Sequence, residues 1–493
     1  VGSGFFYPTF RQNPGILAID MHPGRPIGLT LSLALLWLAP ASAAANVAGT
    51  LFSGPTSADP AALYWNPAAM TLLGGSQIML SGSISSLRLS YARDTPSAFD
   101  NLPLARADTH IPAPRATLGA VTSFGLENRR SRVRDLRFGL GLSFPMVDGA
   151  SWGLTYGGRE SSTRHYALQG KQVVFMIHAA VAYRVFRWLS LAVGADLVGL
   201  WLSQDVMTDF GARINQLSCE ALGGSGCQLD VPLRRENPAY DGLTTVNGTG
   251  VSAGFAAGLL IEPLRWLRLG VGLHTGGFDV SVPVDITVEV PRIAADYIRT
   301  TFPSVRLPEV EAQGTVVFHT PMIVTAGVGV DPLPGLGLAV DFQWMNTSAS
   351  ATMFATISRT NTGLVGDQVL VSQKRDKVLV ALRGSYRVIP ALNLGLRLEY
   401  DANSRPGEFT TPVSLDYHKF SFHLGASWRV TRWLILDVEY AHFFLLDRTV
   451  RVSRFAPNAF PTTPEEESLD RPSPTGTYSG GADLFGLGMR FAF

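Results

Sequence analysis

Charge is what this chain has least of. Lysine, arginine, aspartate and glutamate make up 16% of its 493 residues, against about a quarter in ordinary soluble proteins, so part of its surface faces something other than water. Basic and acidic residues nearly cancel, 40 against 39, and no block of Lys and Arg suits a phosphate backbone. Nucleic acid is therefore not expected as a partner. Cysteine is almost missing: only Cys219 and Cys227 occur. Two thiols alone fit a tetrahedral metal set poorly, and in an oxidising compartment they read as one small disulfide clasping a loop. Long hydrophobic runs are absent too. Although 46% of residues are hydrophobic, none beyond the N-terminus reaches the roughly 18 to 20 uncharged apolar residues of a spanning helix. Nor is there a catalytic constellation. His178, His274, His319, His423 and His442 fall singly on separate segments without a nucleophile elbow, so no enzyme, cofactor or metal is expected.

What is present begins with an address. From Met21, MHPGRPIGLTLSLALLWLAPASAAANV sets His22 and Arg25 before an apolar core, Ile27 to Ala39, followed by the small residues Ala41, Ser42 and Ala43. That is the order of a secretory signal peptide over 21–44. Residues 1–20 precede it and read as an upstream or non-native extension.

Three stretches then repeat one pattern: AYRVFRWLSLAVGADL at 182–197, LIEPLRWLRLGVGLHT at 260–275 and SWRVTRWLILDVEYAH at 427–442. After Trp433, the series Leu434, Leu436, Val438, Tyr440 interleaves with Ile435, Asp437, Glu439, Ala441, the period of two of a strand with unlike faces. Leu394, Leu396, Leu398 and Tyr400 alternate in the same way with Asn393, Gly395, Arg397 and Glu399. Strands are expected at 75–93, 116–125, 136–147, 171–186, 188–205, 249–262, 266–290, 313–330, 335–352, 376–388, 392–403, 416–430, 433–452 and 477–493. Long connections, such as 94–115, 148–170, 206–248, 291–312 and 353–375, alternate with tight corners. An even set of about 14 strands, with long loops at one end and short turns at the other, is the pattern of a bacterial outer-membrane barrel. The expected fold is all-β, a transmembrane antiparallel β-barrel over 75–493 in the outer membrane of a Gram-negative bacterium. Trp188, Trp266 and Trp433 would sit at its periplasmic aromatic girdle among the outer-membrane lipids.

Residues 45–74 do not fit a bare barrel. They read as short helices, with Asp59 as a cap before Pro60. Leu63, Tyr64, Trp65, Met70, Leu72 and Leu73 are too apolar for a free tail, and the nearest place to bury them is the barrel lumen.

The stretch ADPAALYWNPAAMTLLGG resembles the N-terminal hatch of the FadL family, outer-membrane transporters of long-chain fatty acids and hydrocarbons. The hatch motif is matched by Asn66, Pro67 and Ala68. HTPMIVTAGVGVDPLPGLGLAVDFQW at 319–344, LRGSYRVIPALNLGLRLEYDANSRP at 382–406 and the terminal strand LFGLGMRFAF, ending on Phe493, are similar to the family as well. The resemblance implies a barrel plugged by a helical hatch, uptake of a hydrophobic small molecule, and sideways release through a gap made by a kinked third strand. Here that strand is LRFGLGLSFPMVDG. Gly139, Gly141, Phe144 and Pro145 are its candidate gap residues, since proline cannot donate to the ladder and glycine weakens it; alternatively Pro145 ends the strand at the rim. By the same analogy loops 206–248 and 291–312 form the outer capture site. In AADYIRTTFP, Ala294, Tyr297, Ile298 and Phe302 share one helical face, either a substrate groove or packing against a neighbouring loop.

One departure bears on the ligand. Fatty-acid members carry basic residues in the wall that can pair a carboxylate, whereas the fifth strand here, LVGLWLSQDVMTD, offers Asp205 and Asp209 and no cation. Inward Arg383 and Arg397 are expected to pair with acids such as Glu399, Asp437 and Glu439. The expectation is a monomeric passive transporter of long-chain fatty acids or of neutral hydrocarbons and aromatics. The rival readings are a general porin and a non-transporting structural barrel.

Overall fold

The structure, a computed structural model, describes residues 48–124, 136–152, 155–156, 159–211, 214, 236–276, 279–301, 310–350, 352–360, 368–371, 373–412, 415–454 and 474–493. The signal peptide and the extension before it lie outside these residues, as do Cys219, Cys227 and Phe302.

Alternation of apolar with polar or small residues produces fourteen antiparallel spans. The first six are β1 (Gln77–Arg93), β2 (Ala107–Thr122), β3 (Leu136–Ser151), β4 (Gln169–Phe186), β5 (Leu189–Asp209) and β6 (Asp241–Leu264). The next four are each in two pieces. They are β7 (Leu267–His274, Val280–Val288), β8 (Val310–Phe318, Ile323–Leu333), β9 (Leu336–Met345, Thr352–Thr360) and β10 (Gln368–Val371, Lys377–Ile389). The wall ends with β11 (Leu392–Asp401), β12 (Lys419–Arg429), β13 (Leu434–Val450) and β14 (Gly476–Ala492). It closes where β1 pairs with β14, from Gln77↔Ala492 to Arg93↔Gly476, leaving no free edge there for aggregation.

The faces are inverted relative to a soluble sheet. Outward Val438 and Leu487 are 48% and 70% exposed while inward Asp437 and Arg397 are 2% and 0%, the arrangement a lipid-facing wall around a polar lumen requires. Trp188, Trp266 and Trp433 lie exposed beside the short turns, and Trp433 stacks on Phe491 with ring centroids 6.1 Å apart.

Two expectations are corrected. β2 begins at Ala107 rather than 116, because Pro112 and Pro114, read as loop residues, sit within a strand. The region 353–375, expected to be loop, carries β9 on to Thr360 and starts β10 at Gln368. Extension of the wall beyond the bilayer is not written in the apolar alternation, because strands standing in water no longer need an apolar outer face.

Candidate functional site: a plugged lumen and an interrupted seam

The segment from Ala48 to Leu73 is mostly buried, and its partners come from strands all round the wall, which places it in the lumen. It has little regular helix: one α-turn, α1 (Ala62–Trp65), and a 3-10 turn, Pro67–Leu72. Asp59 receives the Ala61 N–H at 2.8 Å, so it caps the turn leading into α1. Asn66 is the pivot of the segment. Its Oδ1 accepts from Ala68 N at 3.1 Å, while Nδ2 donates to Pro55 O and to Leu259 O of β6, each at 3.0 Å. One buried side chain thus ties two turns of the plug to the wall. Gly258 of β6 permits this approach, since a Cβ there would stand 2.6 Å from Asn66 Oδ1. Further bonds come from Thr325 Oγ1 to Trp65 O, from Arg184 to Thr71 O at 2.9 Å, from Arg137 to Leu73 O at 3.0 Å, and from Leu51 N to Glu439 at 2.6 Å.

Against the plug the lumen is ionic. Arg383 forms a fork on Asp341 at 3.1 and 3.2 Å and donates to Ser57 Oγ at 2.8 Å. Arg397 bonds Glu399 at 2.9 Å and Ser53 O at 3.2 Å, and lies 3.5 Å from Asp341. Arg490 grips Asp437 with two 2.9 Å bonds, and Asp401 lies 3.1 Å from Lys377 and 2.9 Å from Lys419. Pairing of Arg397 with Glu399 was legible in the sequence. Asp341 as partner of Arg383 was not, because β9 and β10 become neighbours only on folding. Each of these five cations already has a carboxylate, as burial of a charge demands.

Two histidines that are scattered in the sequence meet in the lumen. His178 of β4 and His274 of β7 each place Nδ1 2.7 Å from a different oxygen of Asp196 of β5. Among the described residues this is the one buried group with metal-ligand chemistry; its ring nitrogens are committed to hydrogen bonds within the protein.

The seam between β2 and β3 is incomplete. The strands pair over five positions, Leu118↔Leu142 to Thr122↔Phe138. Beyond these β3 runs on to Ser151 beside β4 and β2 runs back to Ala107 beside β1, without pairing each other. The Thr109 hydroxyl donates to Ser151 O across the opening. Phe144 and Pro145 together oppose Phe175, since the register shifts between Ser143 and Met146: a β-bulge that bends β3 at the point where pairing with β2 ends. Pro145 therefore does not end the strand. Pro112 and Pro114, which sequence reasoning missed, lie on β2 across the opening, and proline is accommodated where a strand has a free edge. Gly139 and Gly141 lie in the paired part instead, opposite Val121 and Gly119. Gly139 makes room for the plug, for a Cβ there would stand 2.5 Å from Met70 Sδ and 2.6 Å from Leu63.

At the mouth, helix α2 (Arg292–Thr301) turns Ala294 and Ile298 into a buried cluster with Phe210, Ile214, Tyr240, Val288 and Ala312; Tyr297 is half-buried at its edge. Of the two alternatives for this face, packing against a neighbouring loop is the one seen for Ala294 and Ile298. The stretch from Ser161 to Leu168, expected to be outer loop, folds inward and is buried. Arg164 and His165 bond Asp241 at 2.7 and 2.9 Å, and Arg93 bonds Glu236 at 2.5 Å. Burial alone would raise the Glu236 carboxyl, but Arg93 outweighs it and holds the group below the usual range. Asp209 anchors the same loop by accepting from Glu236 N at 2.7 Å.

A closed lipid-facing barrel with a filled lumen and an interrupted β2–β3 seam is the architecture of an outer-membrane transport protein. The sequence profile of the outer membrane protein transport protein family (OMPP1/FadL/TodX) matches residues 36–493. The chain belongs to that family. No curated protein matches it in sequence. Among solved structures, a FadL homologue of Pseudomonas aeruginosa aligns at 17% identity and a TM-score of 0.69, covering 92% of this chain and 98% of that one. The toluene transporter TodX of P. putida aligns at 15% identity and a TM-score of 0.59, covering 90% and 96%. The toluene transporter TbuX of Ralstonia pickettii aligns at 16% and 0.55, covering 89% and 98%.

Proposed function

We propose that this barrel carries hydrophobic compounds passively across the outer membrane and releases them sideways between β2 and β3, taking neutral hydrocarbons and aromatics ahead of long-chain fatty acids. The observation that carries the reading is the interrupted seam. Pro112, Pro114 and Pro145 flank a stretch of wall without ladder bonds, directly beside inward Val174 and Met176 of β4, whose apolar cluster also holds Tyr64 and Trp65 of the plug. A compound leaving there passes from apolar side chains into lipid without crossing water.

The steps follow from the layout. Capture occurs at the half-buried Tyr297 edge of α2, close to Ile298, with Phe302 beyond the described residues. Passage inward requires the Ser161–Leu168 segment to give way. The Asn66-Pro67-Ala68 turn then shifts as the hatch, and exit follows past the Phe144–Pro145 bulge. Each CH2 removed from water contributes about 0.8 kcal/mol, so partition into lipid and consumption inside the cell supply the drive for a single barrel. Preference for neutral ligands is supported by Arg383, Arg397, Arg490, Lys377 and Lys419, all already paired with carboxylates. It is also supported by the toluene named for TodX and TbuX. A ligand carboxylate would have to displace one of those acids or enter unpaired.

The test is uptake of labelled toluene and labelled oleate in a deletion strain with and without this gene restored. Faster toluene entry with a smaller gain for oleate is expected. If neither is accelerated while a small hydrophilic solute enters faster, the protein is a porin and the reading falls.

A further inference from the structure

All four ring nitrogens of His178 and His274 have a neighbour at 2.7 Å, but the neighbours are of two kinds. On the Nε2 side they are Ser143 Oγ of β3 for His178 and the Tyr64 carbonyl oxygen of the plug for His274. On the Nδ1 side both rings meet one carboxylate, His178 at Asp196 Oδ1 and His274 at Asp196 Oδ2. A backbone carbonyl has no hydrogen to give, so His274 donates through Nε2. As a neutral imidazole it then brings a bare lone pair to Asp196, which brings another. A positive centre belongs between them.

The surroundings suit a metal ion in that place. One ligand atom from each of the three side chains lies within 4.8 Å of the other two, so small side-chain rotations bring two nitrogens and a carboxylate to the roughly 2.0–2.2 Å of zinc ligands. Hydrogen bonds from the far ring nitrogens to a carbonyl and a hydroxyl are the outer support that orients metal-binding histidines and fixes their tautomer. The ligands also stand on paired strands, with His178 opposite Asp196 in the β4–β5 ladder and His274 of β7 opposite Ala256 of β6. All three side chains are buried, beside the apolar cluster that holds Tyr64, Trp65, Met176 and Val198, so water does not compete for the ion. The Tyr64 ring stacks on His274 at 5.8 Å and meets His178 edge-on at 6.2 Å, placing an electron-rich group against ligands that share the ion's charge.

We propose that His178 Nδ1, His274 Nδ1 and the Asp196 carboxylate bind one divalent transition-metal ion, zinc foremost. Imidazole selects zinc and its neighbours over calcium and magnesium, which take oxygen ligands, and a bidentate carboxylate completes four donors without water. The ion is structural. It ties β4, β5 and β7 together inside the lumen, and with His274 Nδ1 on the metal the Nε2 hydrogen stays aimed at Tyr64 O of α1. Ligands 18 and 78 residues apart in the chain converge only as the barrel closes, so the ion enters during assembly. The site goes beyond the transport reading and does not rest on it.

The test uses full-length protein in detergent, free of any histidine tag. Extracted from outer membranes without chelator, it should keep about one zinc per chain through dialysis, read by elemental mass spectrometry. Refolded from urea with cobalt(II) as the sole metal, it should show the visible absorption bands of a nitrogen- and oxygen-ligated ion. Asp196→Asn and His274→Gln should each lose those bands while still migrating as folded barrels on an unheated gel. If neither variant folds, the parent protein decides: refolded with the NMR-active cadmium isotope after nitrogen labelling, its metal resonance should couple to two histidine nitrogens. Absence of zinc from the membrane-derived protein, or of bands after refolding with cobalt, overturns the proposal and leaves a proton as the positive centre. Bands that persist in Asp196→Asn, or a cadmium resonance without histidine coupling, overturn it by placing the ion elsewhere.

Discussion

Two seams of the same wall are built from the same strand type and behave in opposite ways. Where β1 meets β14 the ladder runs without a shift from Gln77↔Ala492 to Arg93↔Gly476, whereas β2 and β3 pair over only five positions. At the closing seam the antiparallel ladder carries small residues such as Ser83, Ser85 and Gly486 and no proline. At the interrupted seam Pro112, Pro114 and Pro145 withhold donors, and the Phe144–Pro145 bulge turns β3 away. Missing N–H groups and a bulge thus leave this stretch of the wall without ladder bonds.

The sharpest way to erase the contrast is to lock the open seam. Ala113 of β2 and Val147 of β3 lie in the unpaired parts of their strands on either side of the opening, both buried. A disulfide between Ala113→Cys and Val147→Cys should reduce toluene uptake to background and release it on reduction, while a Ser85→Cys with Leu484→Cys bridge in the closed seam changes nothing. Uptake through a locked open seam would refute lateral exit.

Loosening the plug beside the seam comes next in size. Asn66→Ala removes the bonds to Pro55 O, Leu259 O and Ala68 N, at a cost of about 1–3 kcal/mol for each buried group left unsatisfied. A lower unfolding midpoint and a new leak of small hydrophilic solutes into liposomes are expected; a tight, equally stable barrel would show that Asn66 is dispensable. Restoring donors should act in the other direction. Pro112→Val with Pro114→Val and Pro145→Val can add ladder bonds worth about 0.5–1.5 kcal/mol each, raising the urea midpoint and slowing uptake, and faster uptake would count against the role given to the prolines.

The smallest effect belongs to the closed side. Burial opposes the charge on Asp416, but Lys377, Lys419 and the Ser404 N–H and hydroxyl outweigh it and hold its carboxyl at about 2. A depressed carboxyl contributes stability above the ordinary carboxylate value of about 4, and loses it as pH falls through the depressed one. Pepsin should therefore spare loop 402–418 at about pH 4 and cut it as pH approaches 2. Asp416→Asn should be cut throughout, and equal protection of both at every pH would remove Asp416 from this role.

Much of this was legible because a barrel in lipid obeys a simple rule: every second residue meets hydrocarbon. The alternation at Leu434 to Ala441 and the Trp433 corner follow from it, as does the burial of Leu63 to Leu73, which had nowhere else to go. The family likeness pointed to Asn66, Pro67 and Ala68, and the structure places them buried in the lumen. Partners across the lumen were not. Asp341 with Arg383 and His178 with His274 depend on which strands become neighbours and on which inward side chains converge, and periodicity is silent on both. The prolines of β2 misled because proline argues against a strand unless one edge is free, and whether an edge is free is a property of the neighbouring strand.

By itself, then, the sequence determined the class of wall, its count of spans and its inverted faces, since these depend on local period and on the medium outside. Only the tertiary structure decided where β2 and β3 part, how Gly258 and Gly139 make room for the plug, and that His178 and His274 converge on Asp196. Those outcomes depend on distances between residues far apart in the chain, which closure of the barrel sets all at once.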